Sequence, residues 1–397
     1  MKKEEVNLNV WLYALYTLLK EHLFWGAILI TFIMRVSGMT LSQVYFMEGV
    51  CVLGIVALQV PFGSVADIIG RRKAILFGLG CMVIEAILFA SATTPAMIWI
   101  ANLMWVVGYS MLYGADSALL YDSLLEAGRE EEYKSIEGKS NSYRLALCAV
   151  CCLSVGYLAE INIRLPVYLS AITMAINFAI AWFFIEPPLY HKHPSWCQYW
   201  RLMWRTVKQA VGNPEILWII ALAVVIGVVS KVWFFCYNPY FEAVEIPIRY
   251  FGYVFFLLNI VSAIFSYLTD WLHRRLGDRG SVVLMVAVCS LPIYLMGVWV
   301  SPLAALLVLT QNIARGYIGP FVGYLLNVRT SSENRTTMLS LKATALYLGE
   351  SVGLQLFGWM LGCWSLFSCL QLLGAVSLGL GLALIISQGL IFRNKQS

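Results

Sequence analysis

Charged residues are scarce in this chain of 397 residues. Asp, Glu, Lys and Arg make up 12% of the sequence and hydrophobic residues 60%, whereas about a quarter of the residues of a soluble domain are charged. This composition excludes an ordinary soluble domain, because the excess apolar surface needs lipid as its solvent. The sequence also has no basic patch and no loop long enough to fold a nucleic-acid-binding domain, which excludes a nucleic-acid-binding protein.

Residue types that carry catalysis or bind metal ions are also sparse. The sequence has only four His, and it contains no nucleophile with a His base and no phosphate-cradling loop for ATP. The ten Cys lie mostly in apolar stretches, where Cys serves as a small packing residue. Cys148-x-x-Cys151 has no second pair to complete a zinc site. We therefore predict no enzyme, no cofactor and no metal site, and any pumping must use an ion gradient.

The apolar residues form long runs separated by short polar segments. Each run has about 19 to 28 residues, which is enough to cross a hydrocarbon core of about 30 Å as a helix. The short alternating segments of a β-barrel are absent. The first run carries Lys20 and Glu21 and lacks a small-residue cleavage site, so it is not a signal peptide. The twelve predicted spans are 11–34, 44–64, 74–92, 97–124, 142–160, 164–185, 215–238, 249–269, 281–299, 302–326, 337–359 and 364–388.

The basic residues predict the orientation. With a cytoplasmic N-terminus, most Lys and Arg fall on the cytoplasmic side, and Arg35, Arg164 and Arg249 fall outside, in agreement with the positive-inside rule. We therefore expect a monomeric multi-pass protein of the inner or plasma membrane with both termini cytoplasmic.

The longest polar interruption begins at Glu186-Pro187-Pro188 and divides the spans six and six. Trp and Tyr interleave there with basic residues at helical spacing, which predicts an amphipathic helix along the cytoplasmic membrane face. The predicted organisation is an N-terminal six-helix bundle at 1–190, a cytoplasmic amphipathic linker at 191–213 and a C-terminal six-helix bundle at 214–397.

A degenerate repeat supports two related halves. The stretch Gly63-Ser-Val-Ala-Asp67-Ile-Ile-Gly70-Arg71-Arg72 follows span two, and Ser266-Tyr-Leu-Thr-Asp270-Trp-Leu-His-Arg274-Arg275 follows span eight. Each copy places an acid four and five residues ahead of an Arg pair. Parallel halves of this kind are a transporter architecture, with the substrate site near the middle of the membrane.

The first copy resembles the signature loop between helices two and three of the major facilitator superfamily. The segments Gly114–Leu124 and Asn334–Leu341 resemble elements of its bacterial efflux-type members. The resemblance implies an all-α membrane protein with twelve transmembrane helices in two pseudo-symmetric six-helix bundles. It also implies a central cavity lined by helices one, four, seven and ten.

The signature loop is the predicted cytoplasmic gate. The two glycines allow a tight turn, and Asp67 can cap a helix or pair with a cation to hold the cytoplasmic side closed. In the alternative interpretation, the basic residues only fix the topology. The gate residues are Gly63, Asp67, Gly70, Arg71 and Arg72, together with Asp270 and Arg274 of the second copy.

Two departures from the family pattern concern energy coupling. Ile68 stands where the family usually has Arg, and Met104 stands where helix four usually carries an Arg linked to proton coupling. Span five also lacks the Gly-Pro motif of the drug/proton antiporters. The sequence therefore lacks the residues and the motif on which the family's export and proton coupling usually depend.

Ionisable side chains inside the membrane are costly, at about 2.5–3.5 kcal/mol each on insertion scales, so they usually face a cavity or a partner. Six within the predicted spans are candidates: Lys20, Glu21, Asp116, Lys231, Arg315 and Glu350. Asp116 is the first candidate for the proton carrier and Glu21 the second, because the pKa of a carboxyl responds to a dry cavity and to nearby cations. Alternatively, Asp116 pairs with Arg315, and Glu21 with Lys231, only to hold helices together.

A polar aromatic stripe on span four predicts one wall of the cavity. Asn102, Trp105, Tyr109, Tyr113 and Asp116 recur every three or four residues, which places them on one helix face. The predicted substrate-binding residues are Lys20, Tyr16, Asn102, Tyr109, Tyr113, Lys231, Gln311 and Arg315.

These features predict a secondary active transporter that moves a small organic solute by alternating access, as proton-coupled efflux of an amphipathic compound. The three buried cations favour a second interpretation, which is uptake of an organic anion, metabolite or chelate. A third is a sensor or assembly factor with the same fold that transports nothing. The identity of the substrate, the direction of transport and the coupling ion, H⁺ or another, do not follow from the sequence.

Overall fold

The protein is helical throughout the part of the chain that the structure describes. This structure is a computed structural model, and it describes residues 1–187, 204, 207, 208, 210–330 and 335–393. Most of the predicted linker at 191–213 and part of the Asn334–Leu341 segment lie outside the described residues. No strand occurs within the described residues.

We label the α-helices in chain order. The N-terminal part of the chain contains α1 (Lys3–Leu19), α2 (Leu29–Ser37), α3 (Leu41–Ile69), α4 (Arg71–Ser91), α5 (Pro95–Leu112), α6 (Ala115–Glu126), α7 (Tyr133–Ile161) and α8 (Leu165–Trp182). The C-terminal part contains α9 (Pro214–Ala243), α10 (Phe251–Tyr267), α11 (Thr269–Val298), α12 (Val308–Arg329), α13 (Arg335–Cys363) and α14 (Leu366–Arg393).

Nine helical stretches of the described chain are long and apolar enough to cross a membrane. They correspond to predicted spans two to nine and to span twelve. Spans one, ten and eleven do not meet the same criterion of length and hydropathy, so the number twelve stays a prediction.

Two predicted spans are each broken into two helices, which the sequence analysis did not foresee. Span one is interrupted between Leu19 and Leu29, where α1 ends and α2 begins. Span four is interrupted at Tyr113 and Gly114, and Gly114 has a φ of 84°. This left-handed conformation is accessible to glycine at little cost, so the chain can turn there between α5 and α6.

The described residues form two compact units, which we call unit 1 and unit 2. Unit 1 comprises Met1–Met39, Leu53–Cys197 and Ile248–Tyr253, and unit 2 comprises Thr40–Val52, Gln198–Pro247 and Val254–Ser397. The predicted division at residues 190 and 214 remains a proposal about how the chain is organised.

Unit 1 has a continuous apolar core formed by α1, α4, α6 and α8, with Tyr16, Leu79, Leu119 and Met174 fully buried. Helices α4 and α5 approach closely at two glycines. A Cβ built on Gly78 would lie 2.9 Å from the carbonyl oxygen of Gly108, and one built on Gly108 would lie 2.7 Å from that of Gly78. Only glycine fits this seam, because real Cβ atoms do not approach other atoms so closely.

Unit 2 is built around α9, whose side chains Trp233 and Tyr237 are almost fully buried. The helix starts where Asn213 accepts hydrogen bonds from the backbone N–H groups of Glu215 and Ile216, with Pro214 at the first position, as helix N-termini favour. The first residues of α3 belong to this unit: the Tyr45 hydroxyl donates to the Val232 carbonyl at 2.5 Å.

Candidate functional site

The break in span one and the break in span four meet at an ion pair in unit 1. Lys20 follows the last residue of α1, and Asp116 lies in the first turn of α6. Lys20 Nζ donates to Asp116 Oδ2 at 3.0 Å, and the Tyr16 hydroxyl donates to the same oxygen at 3.3 Å. A cation at a helix C-terminus and an anion at a helix N-terminus are both favoured by the helix dipole. Three predicted site residues are thus brought together.

The aromatic stripe of span four follows α5 as far as its C-terminal end. The Trp105 and Tyr109 rings stack with centroids 5.3 Å apart, and the Tyr109 and Tyr113 rings are 6.2 Å apart. Tyr113 is half-exposed. Asn102 is buried, and its amide donates to the Ile98 carbonyl one turn earlier in its own helix. The stripe therefore ends at Tyr113, immediately before the break between α5 and α6.

The acidic neighbour of Lys20 has a separate partner. Glu21 forms an ion pair with Arg144 of α7, and the Glu21 side chain is 52% exposed whereas the Arg144 side chain is 13% exposed. In the alternative prediction, Asp116 pairs with Arg315 and Glu21 with Lys231. The partners in the structure, Lys20 and Arg144, come from the same unit as the carboxylates that they contact.

A polar cavity of about 240 Å³ lies within unit 2. The predicted residues Lys231, Gln311 and Arg315 line it, together with Glu350 and Phe234. Lys231 Nζ lies 5.0 Å from the centre of the Phe235 ring, and the Arg315 guanidinium lies 5.5 Å from that of Phe234.

Lys231 acts electrostatically on two carboxylates of unit 2, Glu350 in the same cavity and the buried Glu48. The Gln311 amide donates to the Ser230 carbonyl at 2.8 Å, which fixes the orientation of its side chain. Two cations held over aromatic rings next to a polar cavity can bind an anionic group, since cation–π contacts leave their N–H donors available.

The first copy of the signature loop forms a buried ionic cluster in unit 1. Arg71 pairs with Asp67 one turn earlier, and its Nε lies 3.6 Å from Asp122 Oδ2. Glu186 accepts hydrogen bonds from the backbone N–H groups of Arg71 at 2.5 Å and Arg72 at 2.9 Å, so its carboxylate caps the N-terminus of α4. Arg72 also donates to the Trp182 carbonyl at 2.6 Å.

Gly70 connects α3 to α4 with a φ of 103°, and a Cβ built on it would lie 2.8 Å from the Glu186 carboxylate. Gly63, in contrast, lies inside α3 with nothing within 4 Å of a built Cβ. The two glycines of the motif therefore play different parts: the turn and the cap need Gly70, whereas nothing near Gly63 requires a glycine.

The second copy forms the same pair in an exposed position. Asp270 pairs with Arg274 across one turn, and both side chains are 74% exposed. Nearby, His273 Nε2 contacts Asp278 at 2.7 Å, and Arg329 Nε contacts Glu215 at 2.9 Å. A cavity of about 530 Å³ in unit 2 is lined by Asp270, His273 and Arg274 among others.

Three buried titratable residues were missed by the sequence analysis. Glu48 in α3 is 7% exposed and Glu85 in α4 is 1% exposed. His22, in the segment between α1 and α2, places its Nε2 3.1 Å from Glu85 Oε2. The signal was available, since each glutamate is a lone acid in an apolar run, and such residues usually have a functional or pairing role.

Comparison with known proteins identifies the family. The model of the Major Facilitator Superfamily matches residues 10–354, and no curated protein sequence matches the chain. Among solved structures, a nucleoside transporter, NupG, is similar with a TM-score of 0.78 and 14% identity over 98% of this chain and 99% of that one.

A transporter of the POT family, solved with 5-aminolevulinic acid, has a TM-score of 0.74 and 10% identity, covering 97% of this chain and 96% of that one. A bacterial homologue of the human lysosomal transporter Spinster has a TM-score of 0.70 and 14% identity, covering 98% and 96%. At such identities the likeness concerns the fold.

The family model extends over most of the chain, including both signature copies and the polar side chains described above. The chain therefore belongs to the Major Facilitator Superfamily and is a multi-pass membrane transporter, not an enzyme.

Proposed function

We propose that the protein takes up a small organic solute carrying an anionic group, together with a proton, by alternating access. The observation that carries this proposal is the cavity of unit 2, where two cations, Lys231 and Arg315, and one carboxylate, Glu350, line about 240 Å³. An anionic group there would accept charge-assisted hydrogen bonds from both cations. Of the substrate-binding residues predicted from the sequence, Lys231, Gln311 and Arg315 line this cavity.

The direction follows from the charge of the solute. In a cell membrane with a negative interior, moving one negative charge inward costs about 2.3 kcal/mol per 100 mV. Uptake of an anion therefore needs a co-transported cation, whereas its outflow is already favoured. A proton-coupled carrier of anions is thus useful for uptake, in an inner or plasma membrane with both termini cytoplasmic.

Glu350 extends the range of solutes to zwitterions. It lines the same cavity as Lys231 and Arg315, and a carboxylate beside two cations can accept a hydrogen bond from an ammonium group on the solute. The solute solved with the similar POT family structure, 5-aminolevulinic acid, carries both groups. Small amino-acid-like solutes and simple carboxylates are both within the proposed class.

Proton-coupled efflux of an amphipathic compound is the second candidate. The stacked Trp105 and Tyr109 rings and the half-exposed Tyr113 favour it, because aromatic faces bind apolar solutes without fixing their charge. If the protein exports an amphipathic compound, transport depends more on the aromatic stripe of unit 1 than on the cations of the unit 2 cavity.

The test is transport by the purified protein in liposomes against a panel of lactate, succinate, 5-aminolevulinic acid, a dipeptide, a nucleoside and a lipophilic cation. We expect accumulation of one or more solutes with a carboxylate when the outside is acidic, and loss of it in Lys231→Met. Movement of the lipophilic cation alone would favour efflux and contradict the anion proposal. The matched control is Arg275→Met, because Arg275 also lies over an aromatic ring, 5.3 Å from Trp271, but does not line the cavity.

A further inference from the structure

His22 and Glu85 form a buried acid–base pair that none of the predicted site residues includes. The His22 side chain is 8% exposed and that of Glu85 is 1% exposed, and their Nε2 and Oε2 atoms are 3.1 Å apart. Both ring nitrogens of His22 and the facing Glu85 Oε2 are buried without a well-aligned hydrogen bond among the described residues, so the pair is in contact by distance and charge. A buried nitrogen without a partner is unusual, because leaving a polar atom unsatisfied costs free energy.

The surroundings of the pair contain few other charges. Helices α5 and α8, which pack against α4, carry no Asp, Glu, Lys, Arg or His. On α6, Asp116 is paired with Lys20, Asp122 lies near Arg71, and Glu126 accepts from the N-terminal ammonium. Glu21, which precedes His22, is held by Arg144, and Arg164 donates to the Ala90 and Ala92 carbonyls at the end of α4. On α4 itself, Arg71, Arg72 and Lys73 begin the helix, and Cys81 lies one turn before Glu85.

Burial disfavours a charge on Glu85, and His22 is the charged group that acts electrostatically in favour of its carboxylate. With a neutral imidazole beside the carboxylate, the pair has a net charge of −1. One added proton on the ring gives an imidazolium–carboxylate pair with no net charge. A buried net charge is costly. Burial therefore favours the form of the pair with the added proton, because that form has no net charge.

The pair is also attached to the segment that breaks span one. His22 lies two residues after Lys20, and its ring packs on Trp25 with centroids 3.9 Å apart. The backbone N–H of Phe24 donates to Ser170 Oγ of α8 at 3.2 Å, and Trp25 packs on Phe89 of α4. A change in the protonation of His22 therefore acts on a short segment whose first residue contacts Asp116.

We propose that the His22–Glu85 pair binds the proton that is co-transported, held as an imidazolium beside the Glu85 carboxylate. The proposal rests on the proposed function for its role in coupling, since one added proton offsets one negative charge on the solute. Asp116, the first candidate from the sequence, already has Lys20 and Tyr16 as partners and becomes a residue that positions the segment at the break.

Proton binding can be tested without any solute, by using Trp25 as a probe. The fluorescence of Trp25, obtained as the difference between the full-length protein and Trp25→Phe in nanodiscs, is followed from about pH 8 to about pH 5, the range in which His titrates. We expect quenching on acidification, because an imidazolium then faces the indole. The change should be lost in His22→Gln and in Glu85→Gln and retained in Glu48→Gln, which removes another buried carboxyl. A signal that does not titrate, or that survives His22→Gln, would overturn the proposal.

The coupling role is tested in liposomes that contain a pH-sensitive dye, with lactate and 5-aminolevulinic acid as solutes. In Glu85→Gln we expect solute-linked proton influx to fall at least tenfold while exchange of labelled for unlabelled solute continues. Proton influx at the rate of the unmodified protein would overturn the assignment. If the unmodified protein moves no solute of the panel while the Trp25 signal titrates, the proposed function fails and the proton site stands.

Discussion

Lys20 Nζ lies 3.0 Å from Asp116 Oδ2, and each residue belongs to the end of a helix that the apolar pattern predicted to be continuous. The pair holds the end of α1 against the start of α6. Removing one charge leaves the other without its partner in a largely buried place.

We expect Lys20→Met and Asp116→Asn to lower the free energy of unfolding by about 1–3 kcal/mol each, which is below the roughly 3–5 kcal/mol of a fully buried pair because Lys20 remains 29% exposed. The double variant should recover most of the loss, since no unpaired charge remains. Thermal unfolding in detergent measures this. Arg249→Met is the control, because Arg249 pairs with Glu160 at 3.9 Å with both side chains more than 40% exposed. Equal destabilisation by the double variant would contradict the pairing.

The cations of the unit 2 cavity should determine affinity for the anionic group. We expect Lys231→Met and Arg315→Met each to raise the Kd of a transported anion about 10- to 100-fold, because a hydrogen bond to a charged group contributes about 1.5–3 kcal/mol. Ligand-induced thermal stabilisation gives the Kd. Arg275→Met, outside the cavity, should leave it unchanged. An unchanged Kd in both cavity variants would remove these residues from the site.

The two glycines of the signature loop should respond differently to alanine. Gly70→Ala places a Cβ at a φ of 103° and against the Glu186 carboxylate, so we expect a loss of at least about 1–2 kcal/mol, the cost of a left-handed conformation for a residue with a Cβ. Gly63→Ala adds a methyl group in open space inside α3 and should be neutral or stabilising by about 0.5–1 kcal/mol. Thermal unfolding of the two variants in parallel makes the comparison. Equal losses would mean that the turn at Gly70 does not decide the effect.

The two copies of the acid–arginine repeat should differ in importance. Asp67 and Arg71 are largely buried and lie next to Asp122, whereas Asp270 and Arg274 are 74% exposed. An exposed ion pair contributes about 0–1 kcal/mol. Asp67→Asn should therefore reduce both stability and transport rate, and Asp270→Asn should change stability by less than about 0.5 kcal/mol. A larger effect at Asp270 would show that the exposed copy has a partner in the working carrier.

Hydrophobic runs were sufficient to predict the helical class and the positions of most helices. They failed at the two breaks because hydropathy counts side chains, whereas a break depends on backbone conformation. Gly114 lies inside an apolar run, and only its φ of 84° turns the chain between α5 and α6. The break after Lys20 is marked by Glu21 and His22, which the sequence analysis treated as residues of one continuous span.

Ion pairs were predictable where an acid and an arginine lie four residues apart on one helix. Asp67 with Arg71, and Asp270 with Arg274, were expected to be related and both form a pair across one helical turn. The partners of isolated charges were not predictable. Glu21 pairs with Arg144 from a helix more than a hundred residues later, and no periodicity within one helix contains that information.

The glycine seam between α4 and α5 has a consequence for how unit 1 can deform. Because Gly78 and Gly108 bring the two backbones into direct contact, a sliding movement along this seam would drive each carbonyl into the opposite helix. We therefore expect α4 and α5 to move as one rigid pair of helices. Glu85 lies on α4, and the turn at Gly114 follows the end of α5. Flexing in this unit is then left to the two interrupted spans, whose breaks are joined by the Lys20–Asp116 ion pair.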